Sequence, residues 1–318
     1  MTAAIARRAL STIVTLFGVA VVIFVILRLL PGNAITASMG ASAGLLSPAQ
    51  RTALDHFYGI GQPAISQFTS WLGSMFSGNL GVSLSTQRPV ASLIGSALPV
   101  TLELGIVALV LGLLIGVGFG MLGALRPGKA GDAAGQGIAV IGLGVPAFVL
   151  GTGLVTLLSA EFHYFPSSKS YAGLFSDPWL NIQQIFFPAL VLSLGIGAAI
   201  MRTTRAAVLE ISSQNFVRTA RGKGLSGRAV VGRHLFRNAL VPIVTMSGIQ
   251  LGYLLGGTVI IEQIFVLPGL GRVLVTSINN RDFPVVQSVT MLFAAGFVIV
   301  NLITDVICAL IDPRSRDR

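Results

Sequence analysis

The chain has 318 residues, 53% of them hydrophobic and only 10% charged, with 38 glycines and a mean hydropathy of +0.84. Soluble domains average roughly 25% charged residues, so a water-solvated globule is excluded and an integral membrane protein is the class that fits. A net charge of +10 would suggest nucleic acid in a soluble protein, but in a membrane protein it reflects cations kept on the inner side.

A membrane-crossing helix needs about 20 mostly apolar residues, and six stretches predict one. They run about Leu10 to Leu30, Leu98 to Leu125, Gly135 to Ser159, Ile185 to Met201, Ala239 to Val266 and Val285 to Ile311. The first follows Arg7 and Arg8, and its apolar core is longer than the roughly 7–15 residues of a signal peptide's apolar region, which predicts an uncleaved span. Between the first two spans, 31–97 is long for a connection. It contains "LDHFYGIGQPAISQFTSWLGSMF", with apolar residues at helical spacing, which predicts amphipathic helices or a small cap. With the N-terminus inside, 15 of the 21 Lys and Arg residues fall on inner segments. Arg51, Arg88, Lys169, Arg272 and Arg281 fall outside, and Arg28 is placed to snorkel at the outer end of the first span. Both termini are therefore expected in the cytoplasm, with 31–97 outside.

Little in the chain resembles chemistry. No phosphate loop of the G-x-x-x-x-G-K-[ST] type and no H-E-x-x-H zinc motif occurs. A G-x-G-x-x-G match at Gly118, Gly120 and Gly123 lies inside an apolar span, where glycines serve helix packing. His56, His163 and His234 are scattered, and the single cysteine, Cys308, reads as an apolar packing residue. Glu103, Glu262 and Asp305 lie in or near spans, but none is clearly central, so interface anchoring or bonding to neighbouring helices accounts for them. An ion-coupled secondary carrier and a membrane enzyme are two classes open to such a chain. The lack of a polar catalytic cluster counts against the enzyme.

The charge gathers in "FVRTARGKGLSGRAVVGRHLFRNALVPIVT", from Phe216 to Thr245, with Arg218, Arg221, Lys223, Arg228, Arg233 and Arg237 and no acid. Only Phe216 and Phe236 are interleaved aromatics, which speaks against nucleic acid. The pattern predicts a short helix up to Lys223, a left-handed turn at Gly224, and a second helix that enters the fifth span near Pro242. A rigid corner presented to a partner explains both the cations and the small residues.

This stretch resembles the cytoplasmic signature loop of ABC-importer permeases, through "TARGKGL" (Thr219 to Leu225) and "NALVPIV" (Asn238 to Val244). Thr219 stands where many such permeases carry Glu. "GNLGVSLSTQRPV", "LPVTLELG", "IEQIFVLPGLGRVLVTSINNRDFPVVQ" and "ALIDPRSR" extend the resemblance over nearly the whole chain, to the dipeptide/oligopeptide/nickel permeases and to the first permease of the pair. It implies an all-α integral membrane protein with six transmembrane helices, the type I ABC importer permease fold and an extracytoplasmic insertion after helix 1. The implied division is 1–30 (N-terminal tail and first span), 31–97 (insertion) and 98–318 (a five-helix core with a cytoplasmic coupling loop at about 203–238). The resemblance also implies a second homologous permease, two ATPase subunits that bind ATP and Mg, and an extracytoplasmic substrate-binding protein. The setting is the bacterial plasma (inner) membrane, with no cofactor in this chain. Phe216, Thr219, Ala220, Arg221, Lys223, Gly224 and Leu225 would form the ATPase-coupling element. The implied substrate is a di- or oligopeptide, with nickel or haem as alternatives.

Overall fold

The computed structural model describes residues 2–29, 47, 62–164 and 171–311. Residues 31–46 and 48–61 of the expected insertion, with Arg51 among them, Lys169 and the tail after Ile311 lie outside these residues, as do the side chains of Arg7 and Arg8. The elements are α1 (Thr2–Leu29), α2 (Ala64–Phe76), α3 (Val90–Leu125), α4 (Ala130–Gly144), α5 (Ala147–Phe162) and α6 (Pro178–Ser212). Then come α7 (Asn215–Gly222), α8 (Gly227–Ile264), α9 (Leu270–Asn279) and α10 (Phe283–Ile311). Among the described residues there is no strand, only an isolated bridge between Val82 and Pro89.

Among the described residues, five helices are long and apolar enough to cross a membrane: α1 over Leu10–Leu29, then α3, α6, α8 and α10. The expected third span is instead a broken pair, α4 and α5, bent by 104°. Pro146 causes the break. It has no N–H to give and forces the preceding residue out of the helical region, and Val145 accordingly has φ −104° and ψ 123°. The fourth span is longer than expected. α6 is one helix of 35 residues, so it carries Arg202 and Arg205 well past its apolar part. Asp177 starts it by accepting from the Leu180 N–H at 3.1 Å, with Pro178 in the first turn.

The chain forms two compact units. The first comprises Met1–Val100 and Pro268–Val298. Val90, Ile94 and Ala97, one face of α3, pack there with Leu270 of α9 and Val285 and Val289 of α10. Ile23 and Leu27 of α1 pack on Val286. Two segments nearly 200 residues apart are locked together by a buried carboxylate. Asp282 accepts from the Ser83 hydroxyl at 2.5 Å, the Leu84 N–H at 3.0 Å, and the Ser85 N–H and hydroxyl at 3.2 and 2.8 Å. Four donors satisfy an ion that would be costly to bury alone.

The second unit comprises Thr101–Leu267 and Ile299–Arg318. α6 is its centre, with two-thirds of its apolar window buried, and it touches α4, α5 and α8. In lipid, helices gain little from excluding water, so association depends on close packing. Gly112, Gly116 and Gly120 provide it at four-residue spacing on α3. A Cβ there would come within 2.7 Å of Ile196, Ile200 and Thr204, themselves at four-residue spacing on α6. Of the G-x-G-x-x-G glycines, Gly120 belongs to this contact, Gly123 lies against Asp132, and Gly118 faces open space.

Candidate functional site

The basic stretch folds as a helical corner. α6 ends at Ser212, Gln214 is extended (φ −75°, ψ 150°), and α7 starts anew at Asn215. Its apolar residues lie three apart, so they share a face: Val217 is fully buried and Ala220 nearly so. Phe216, Arg218, Thr219 and Arg221 point outward. The Thr219 hydroxyl is turned back to the Asn215 carbonyl at 3.1 Å.

The helix stops one residue earlier than expected, with Lys223 as its cap. Gly224 has φ +78°, in the region that favours glycine. The Gly224 N–H donates to the Arg221 carbonyl at 3.0 Å and the Leu225 N–H to the Ala220 carbonyl at 3.3 Å. This pair of bonds is the Schellman closure, which satisfies carbonyls that a helix end leaves orphaned. The chain restarts at once, with the Ser226 hydroxyl accepting from the Ala229 N–H at 3.4 Å.

Residues Val230–Phe236 then form a π-helical turn, an element common at functional sites. Val230 and Leu235 are buried in it. α7 packs against this turn, and the Phe216 and His234 rings lie 6.3 Å apart. The Asn238 amide donates to the His234 carbonyl at 2.6 Å. The same helix continues to Ile264, so α7 rests on the start of a membrane-crossing element.

Of the expected coupling residues, Phe216, Thr219, Arg221, Lys223, Gly224 and Leu225 lie on the exposed side of this corner. Ala220 does not; with Val217 it seats α7 on its own chain. Arg218, Arg221, Lys223, Arg228, Arg233 and Arg237 are all exposed, and no acid occurs between Glu210 and Glu262. The surface is therefore a cationic one suited to an acidic partner.

Other polar contacts brace the second unit. Arg205 donates to Asp132 through Nε at 2.9 Å and Nη2 at 3.1 Å, while the Gly128 N–H donates to Asp132 at 3.0 Å. This two-pronged pair ties the α3–α4 turn to α6 just before the basic corner. Glu262 is fully buried and accepts from the Thr101 hydroxyl at 2.7 Å, so it bonds a neighbouring helix. The Tyr171 hydroxyl donates to Glu103 and accepts from the Asn181 amide. Burial, with the Glu103 carboxylate beside it, pushes the Tyr171 phenol above its ordinary value, so it stays protonated as a donor. Asp305 is on the exposed side of α10. Glu262 and Glu103 thus serve a helix contact and a local network, and among the described residues no group of three His, Cys, Asp or Glu side chains could hold a metal.

None of these pairings carries a sequence signal. The partners are 73 residues apart for Asp132 and Arg205 and 161 apart for Thr101 and Glu262.

Comparison with known proteins follows the same line. Residues 108–317 match the family "Binding-protein-dependent transport system inner membrane component", and residues 1–105 match its N-terminal companion. The "Glutathione transport system permease protein GsiC" of Escherichia coli O6:H1 is 36% identical over 312 residues, covering 98% of this chain and 97% of that protein. The protein of the same name from Shigella flexneri serotype 5b matches at the same identity and coverage. Among solved structures, one described as inward-facing conformations of the MetNI methionine ABC transporter superposes with a TM-score of 0.54 at 20% identity. It covers 70% of this chain and 98% of that one.

Proposed function

This chain belongs to the family of binding-protein-dependent transport system inner membrane components and is a permease subunit of an ABC importer, and from there we propose how it couples to its ATPase. It has the type I permease fold and is a multi-pass inner-membrane protein. It is not the catalytic component, since ATP hydrolysis belongs to separate subunits. Membership in the family displaces the ion-coupled carrier and the membrane enzyme.

In the proposed mechanism, α7 and the turn after it seat in a cleft of a cytoplasmic ATPase. Phe216, Thr219, Arg221, Lys223, Gly224 and Leu225 form the contact surface, and Ala220 holds the helix to its own chain. The observation that carries this reading is the corner itself: a helix closed at its C-terminal end by the Schellman bonds and packed on the turn that begins α8. A slack loop would absorb a partner's movement, whereas a capped helix with a buried face transmits it. When ATP draws two ATPases together, α7 moves with its partner and α8 moves with α7. The spans then tilt as rigid bodies between inward-open and outward-open arrangements. The Arg205–Asp132 clamp makes α6 and the α3–α4 turn follow as one piece.

The full complex comprises this chain, a second homologous permease, two ATPase subunits that bind ATP and Mg, and an extracytoplasmic binding protein. Both termini and the corner face the cytoplasm, where the cations concentrate. The 98–318 part forms the core of the pathway. The substrate is a short peptide. Support for this comes from the relatives, named for transport of glutathione, itself a small peptide.

The test is purification of the tagged chain in mild detergent, with ATPase activity measured as peptides, nickel or haem are added with the co-purified binding protein. Recovery of a second permease and two ATPases, with hydrolysis stimulated by peptide, is the expected result. Stimulation by nickel or haem alone would overturn the peptide assignment and keep the coupling. Absence of any ATPase would overturn the coupling.

A further inference from the structure

We infer that α2 is a membrane-embedded helix and that its exposed side, with Ile65 and Phe76, is covered by lipid acyl chains, although it belongs to a segment expected outside the membrane. The inference starts from where α2 touches α1. Arg28, near the end of α1, lies over the Phe24 ring at 3.5 Å and donates to the Gln67 side chain. This polar group marks the depth at which charge ends, because residues 10–27 carry no charge. Phe17 is seven residues back along α1 from Phe24, where that charge sits. At about 1.5 Å per residue that is about 10 Å, roughly a third of the ~30 Å hydrocarbon thickness. Phe68 of α2 touches both rings, at 5.0 Å from Phe24 and 5.9 Å from Phe17, and Trp71 stacks on Phe24 at 6.1 Å. A helix confined to water could not reach Phe17 while α1 crosses the bilayer.

The composition of α2 fits hydrocarbon. Its 13 residues, AISQFTSWLGSMF, include no charged side chain. Three of its polar side chains, Ser66, Gln67 and Thr69, bond locally, as a medium poor in water favours. The Thr69 hydroxyl bonds the Ile65 and Ser66 carbonyls at 3.1 Å, the Ser66 hydroxyl the Gln62 side chain at 3.2 Å, and the Gln67 amide the Gln62 carbonyl at 2.7 Å. At ~1.5 Å per residue α2 is about 20 Å long, too short to cross, so it enters from one side or lies along it.

The exposed side carries Ile65 and Phe76 toward its two ends, with Ser66, Thr69, Ser70 and Gly73 between them, small residues that close packing in a membrane tolerates. No residue of α2 is buried, and Ile65 and Phe76 are 79% and 85% exposed. This surface continues onto the exposed apolar side of α1, where Val14, Phe17, Val21 and Val25 also lie open. Because α1 crosses the membrane, that side meets acyl chains, and α2 extends the same lipid contact.

The test is site-directed spin labelling. Ile65→Cys and Phe76→Cys are made separately in a Cys308→Ser background, since both positions are exposed and tolerate replacement. Each full complex is placed in phospholipid nanodiscs, with the Cys308→Ser complex giving the background from partner thiols. Collision with oxygen, which concentrates in acyl chains, is compared with collision with a water-soluble nickel chelate. Oxygen accessibility several-fold above that of the nickel reagent at both positions is the expected result. Preferential access by the nickel reagent would place α2 in water and overturn the inference. Low access to both reagents would mean that a protein partner covers the face, and would equally overturn it. Neither result bears on the coupling corner, which is assayed by ATP hydrolysis.

Discussion

Gly224→Val separates the corner's turn from its surroundings. A Cβ at Gly224 meets nothing within 4 Å, so no neighbour has to move and only backbone conformation is perturbed. Holding an L-residue at φ +78° costs ~1–2 kcal/mol, and a branched Cβ lies at or above the upper end. The chain can instead abandon the turn, giving up the Gly224–Arg221 and Leu225–Ala220 bonds at a net cost of about 1 kcal/mol each. Either route costs about 2 kcal/mol, which lowers the ratio of intact to opened corner roughly 30-fold at 1.4 kcal/mol per tenfold. Gly222→Ala is the matched control. Gly222 is helical and also meets nothing within 4 Å, so alanine there gains up to about 1 kcal/mol of helix preference. The assay is hydrogen exchange of the 215–226 amides in the assembled importer, alongside substrate-stimulated ATP hydrolysis. Gly224→Val should accelerate exchange and lose stimulation, while Gly222→Ala keeps both. Native protection and full stimulation in Gly224→Val would refute the reasoning.

Further outcomes follow from the packing. Gly116→Ala should destabilise the chain by ~1–3 kcal/mol in thermal unfolding, the usual cost of overpacking, because its Cβ would stand 2.7 Å from Ile200 and 2.8 Å from the Gly197 carbonyl. Gly118→Ala, facing open space on the same helix, should leave the midpoint unchanged. Asp132→Ala and Arg205→Ala should each lower the midpoint, and the double variant should be little worse than either, since the two side chains bond each other. Asp282→Asn should cost ~2–3 kcal/mol, because an amide nitrogen would replace an oxygen that accepts from Ser83 and Ser85. Limited proteolysis at 77–89 would report the loosened contact.

The long apolar runs made the membrane class and the span positions legible, and the small residues around Gly224 made the corner legible. These are local signals, where composition or a required φ acts within a few residues. The break at Pro146 was equally local, yet the apolar run on both sides of it concealed the bend. Ala220 was expected to face a partner. Its burial depends on a contact with the π-helical turn that starts ten residues later, and the sequence gives no period for that turn. Asp132 with Arg205, Thr101 with Glu262 and Asp282 with Ser83 could not be paired in advance, because nothing local to either residue specifies its partner. The glycines of α3 look alike in sequence, and only the fold separates Gly116, pressed on Ile200, from Gly118, which faces open space.

The central claim is that the exposed side of α7 meets an ATPase. Disulfide cross-linking tests it most directly. In a Cys308→Ser background, single cysteines at Phe216, Thr219 and Arg221, and at the buried Val217, are paired with cysteines lining the candidate cleft of the co-purified ATPase. The account predicts cross-links from 216, 219 and 221 that change in yield when ATP is added, and none from 217. Cross-linking from 217 equal to that from its neighbours, or none from any of the four in a complex that hydrolyses ATP, would contradict it.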